Sequence, residues 1–148
     1  MKYLKTYSKL FESIDEVIYN CKNLLLSITD DDIPVEVSPA HWKTDDEIIT
    51  MLIGDDEELE ELGPADIKPN NFEKYLSDFE NLNSYLESES FYFDYAFILH
   101  DDVRSIPRSS EERWIHYDPF IKSFDELVNN LISYKDKVIL IDISYKKK

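Results

Sequence analysis

Apolar positions recur at helical spacing in three stretches of the chain. In five others they alternate or run on in short apolar blocks that read as strands. Ile14, Val17, Ile18, Cys21, Leu24, Leu25 and Ile28 form one stripe and predict a helix over about 14–28. Ser13 followed by Glu16 is a capping box, in which each side chain satisfies an orphan backbone donor. The run DDD at 30–32 and Pro34 end this helix. IPVEV then places Ile33, Val35 and Val37 on one face, and the missing N–H of Pro34 marks an edge strand. After the loop SPAHWKTDDE, EIITMLIG reads as a second strand.

Phe72, Tyr75, Leu76, Phe79, Leu82 and Leu86 predict the next helix, over 72–89. Its outer side carries Glu73, Glu80 and Glu87 as a row of carboxylates about 10.5 Å apart at helical rise. FYFDYAFILH, 91–100, alternates as a strand. One face is expected to hold Phe91, Phe93, Tyr95, Phe97 and Leu99, and the other Tyr92, Asp94, Ala96, Ile98 and His100. DDVRSIPRSSEER has no period and reads as a loop, and RWIHYDPF as a short strand. Phe124, Leu127, Val128, Leu131 and Ile132 predict a third helix behind a second capping box, Ser123 with Glu126. KVILIDISY, 137–145, is apolar on both faces at its start, as a central strand would be.

The two capping boxes sit in similar surroundings, ESIDEVIYN at 12–20 and KSFDELVNN at 122–130. Each introduces a helix that feeds a strand. Capping boxes are common, so the likeness fits chance or convergence as well as duplication of a helix–strand unit. The expectation is a single α+β domain over 1–148, mainly antiparallel sheet with about three helices packed on it.

Composition narrows the function classes. The chain of 148 residues holds two glycines, Gly54 and Gly63. Phosphate-cradling loops, dinucleotide fingerprints and nucleophile elbows need glycines close together, so none of these is built here. The lone Cys21 reads as a small core residue, and no disulfide can form within the chain. MKYLKTYSKLF lacks the apolar block of a signal peptide, and no apolar run is long enough for a membrane span. A cytoplasmic protein is expected.

The net charge of −16 is concentrated in the middle of the chain. Residues 30–62 carry thirteen acids against Lys43 alone, including Asp55, Asp56, Glu57, Glu58, Glu60 and Glu61. Residues 1–29 and 103–148 are slightly basic. Such a field repels nucleic acid and anionic lipid, and steers in a basic protein. An acidic surface also serves solubility alone. The stretch 55–61 opens a short helix or forms a solvated loop.

Candidate chemistry is sparse. His41, His100 and His116 each have acids close in sequence, and His100, Asp101, His116 and Asp118 would be the ligands of a metal-dependent hydrolase. No ligand spacing of a known motif accompanies them. Neither DDD nor DDEELEE supplies the Gly and alternating ligands of a calcium loop. Arg104, Arg108 and Arg113 cluster in a loop that could receive an anion, and Trp42 and Trp114 flank loops as interface anchors or core covers.

The opening MKYLKTYSKLFESI resembles the first residues of many small uncharacterised proteins of tailed bacteriophages. The resemblance covers about a tenth of the chain and implies action inside a bacterial host; no functional residue carries over from it. The functional expectation is a non-enzymatic acidic protein without a cofactor that binds a basic partner. That partner could itself handle nucleic acid, with the present chain as inhibitor, immunity protein or nucleic-acid mimic. Asp55, Asp56, Glu57, Glu58, Glu60, Glu61, Glu73, Glu80 and Glu87 would carry the contact. A virion or assembly component and the metal-dependent hydrolase are the alternatives.

Overall fold

A computed structural model of the chain describes residues 13–40, 47–54, 70–100 and 121–148. Ser13 starts α1, Ile14–Leu24, by accepting a hydrogen bond on its side chain from the Glu16 N–H at 3.2 Å. Helical backbone is interrupted at Leu25, whose N–H is shared between the Cys21 and Lys22 carbonyls, and resumes as α2, Leu26–Asp30. The single helix expected over 14–28 is therefore two segments. The apolar stripe survives the break, with Val17, Ile18, Cys21, Leu25 and Ile28 all buried.

The aspartate run stops α2 by a specific device. Asp32 takes a φ of 63°, and the Ile33 N–H returns to the Ile28 carbonyl at 3.3 Å. This is a Schellman closure, with Asp in the left-handed position that Gly usually fills.

Four strands form one antiparallel sheet in the order β1-β2-β4-β3. They are β1, Val35–Ala40; β2, Ile48–Gly54; β3, Phe91–His100; and β4, Val138–Lys147. β1 is an edge and β4 is central, as their sequences predict. Pro39 sits within β1 without costing a ladder bond, because its missing N–H lies on the outer side of the edge strand. A 3₁₀ turn, Glu73–Tyr75, leads into α3, Leu76–Ser88, and α4, Phe124–Tyr134, precedes a second 3₁₀ turn, Lys135–Lys137. Ser123 caps α4 as Ser13 caps α1, and the Glu126 carboxylate accepts from the Lys122 N–H at 3.1 Å. Both helix–strand units are thus present, one ending in an edge strand and the other in a central one.

The helices share a core with one face of the sheet. Val37, Ile49, Met51, Ile53, Ile141, Ile143 and Tyr145 pack with Val17, Cys21, Phe72, Phe79, Leu82, Leu86, Leu127 and Leu131. β3 departs from the alternation expected of it. Phe93 pairs with Tyr145 and Tyr95 with Ser144, so Asp94 is an extra, exposed residue in a β-bulge. A bulge shifts the side-chain period by one. Phe91 and Phe93 therefore share the helix side with Ala96 and Ile98, while Tyr95, Phe97 and Leu99 turn to the other face. A second irregularity leaves Ile139 of β4 between the pairs Leu99↔Leu140 and His100↔Val138. Gly54 faces this point with φ +128°, and a β-carbon there would stand 2.1 Å from the Ile139 carbonyl oxygen.

Candidate functional site

Packing three amphipathic helices on one sheet face turns their polar sides outward together. Residues 13–32 hold five acids against Lys22, residues 70–90 five against Lys74, and residues 123–134 two against none. Of these twelve, all but Asp78 and Glu89 are exposed. The four described strands carry only Glu36, Asp94 and Asp142 as acids. Among the described residues, the acidity is therefore a property of the helical layer.

Some of these carboxylates have structural duties. Asp15, Glu16, Asp125 and Glu126 lie in first helical turns, where the helix dipole favours negative charge. Asp78 accepts from the Ser27 hydroxyl at 2.6 Å, tying α2 to α3. Asp31 accepts from the Tyr75 hydroxyl and pairs with Lys74 Nζ at 3.3 Å. The Tyr75 hydrogen bond, seconded by Lys74, holds the Asp31 carboxyl below the usual carboxylate range.

Glu73, Glu80 and Glu87 differ. All three are exposed, and among the described residues no Lys or Arg pairs with them. Glu80 and Glu87 lie on one face of α3 at a separation of about 10.5 Å. Glu73 precedes α3, in the 3₁₀ turn that leads into it. Asp55, Asp56, Glu57, Glu58, Glu60 and Glu61 lie outside the described residues.

Glu87 is also the outer end of a polar chain into the core. Asn83 donates to it at 3.3 Å and accepts from the buried Tyr145 hydroxyl at 2.7 Å. Burial pushes the Tyr145 phenol well above its usual range, with Cys21 and Glu87 adding to the shift. The phenol is therefore a hydrogen-bond donor that orients Asn83. Nothing in the sequence links residues 62 positions apart, so this chain had no signal there. The additional acids Asp15, Glu16, Asp30, Asp31, Asp32, Asp125 and Glu126 were visible as the polar sides of the same helical periods that gave the core.

Of the four residues of the hydrolase alternative, only His100 is described. It ends β3, is 7% exposed and stacks on Tyr134 with ring centroids 4.6 Å apart. Asp101, His116 and Asp118 lie outside the described residues, as do His41, Trp42, Trp114 and the three arginines. Among the described residues no three His, Cys, Asp or Glu side chains come together as a metal-holding group, and no helix is long and apolar enough to cross a membrane. Cys21 is fully buried, and desolvation pushes its thiol up to about 12.

No family model, curated protein or solved structure matches this chain.

Proposed function

We propose that the chain is a non-enzymatic binding protein that docks its acidic helical layer on a basic surface of another protein, inside a bacterial host. The observation that carries this reading is the set of exposed carboxylates Glu73, Glu80 and Glu87, which have no cationic partner among the described residues. Two unit charges about 10.5 Å apart in water repel by only about 0.4 kcal/mol, so the fold tolerates the row. Lys or Arg from a partner would relieve that repulsion, and the summed field would speed their encounter.

The spacing also bears on the kind of mimicry. A duplex strand places a phosphate roughly every 3.4 Å of axis, about three times more densely than the α3 pair. The reading is therefore a match of charge to a basic site, which blocks that site without copying phosphate positions one for one. A partner that itself handles nucleic acid fits this charge match.

Affinity capture from bacterial lysate at low and moderate salt, with bound proteins identified by mass spectrometry, tests the reading. A basic partner retained at low salt and released at moderate salt is expected, and Glu80→Lys with Glu87→Lys should weaken its capture. Retention that ignores both salt and charge reversal would refute it.

A further inference from the structure

We draw no further inference here: the strongest candidate, the apolar surface patch of Tyr19 on α1 and Leu26 on α2, 65% and 49% exposed, is an unpartnered helix face, and nothing among the described residues shows what covers it.

Discussion

Replacing Gly54 by Ala should be among the most damaging single changes to this fold, and the structure sets the scale. Gly54 holds φ at +128°, backbone that side-chain-bearing residues rarely adopt. Forcing Ala into such a conformation costs roughly 1–3 kcal/mol. The added β-carbon would also meet the Ile139 carbonyl oxygen at 2.1 Å and Leu140 Cα at 2.9 Å. Both are main-chain atoms, and Gly54 pairs with Leu140 in the β2–β4 ladder, so relief requires the central strand to move. Overpacking of this kind costs roughly another 1–3 kcal/mol. The sum, roughly 2–6 kcal/mol, is a large share of the about 5–15 kcal/mol that holds a typical domain. Urea unfolding followed by circular dichroism measures it, with the midpoint expected to fall at unchanged slope. A loss below about 1 kcal/mol would refute the reasoning, because Gly54 would then not be pinned against β4.

Ser90, at φ 67° between α3 and β3, stands where Gly is favoured; Ser90→Gly should raise stability by roughly 0.5–1 kcal/mol after the entropy of Gly is subtracted. A fall in the urea midpoint would contradict this. Asp31 is held below the usual carboxylate range by Tyr75 first and Lys74 second. Its contribution to stability is therefore complete above its unfolded value and is lost as pH falls through the depressed folded value. In an NMR titration, the Asp31 carboxyl should rise further in Tyr75→Phe than in Lys74→Met, and the reverse order would count against the hydroxyl's role. The Cys21 thiol, fully buried and pushed up to about 12, should resist a thiol reagent at pH 8 until the chain unfolds. Fast labelling of the native protein would show that the α1 face is open.

What could be read in the sequence was what repeats locally. The two Ser caps, the apolar sides of α1, α3 and α4, the edge position of β1 and the central position of β4 all follow from neighbours in the chain. The bulge at Asp94 does not, because FYFDYAFILH alternates without a break, and only the pairing with β4 reveals the extra residue. The acidic layer was half legible. Its members appear opposite each apolar stripe, but their assembly on one side required the helices to share a sheet face. The Tyr145–Asn83–Glu87 chain arises from tertiary pairing alone.

The central claim is that the carboxylates of the helical layer make the contact with a basic partner. The most direct measurement is the salt dependence of the dissociation constant for the captured partner, compared between the native chain and Glu80→Lys/Glu87→Lys. The account predicts weaker binding by the double variant and a shallower loss of affinity with added salt, since exposed charge pairs are screened over about 8–10 Å. Identical constants and identical salt slopes for the two proteins would contradict it.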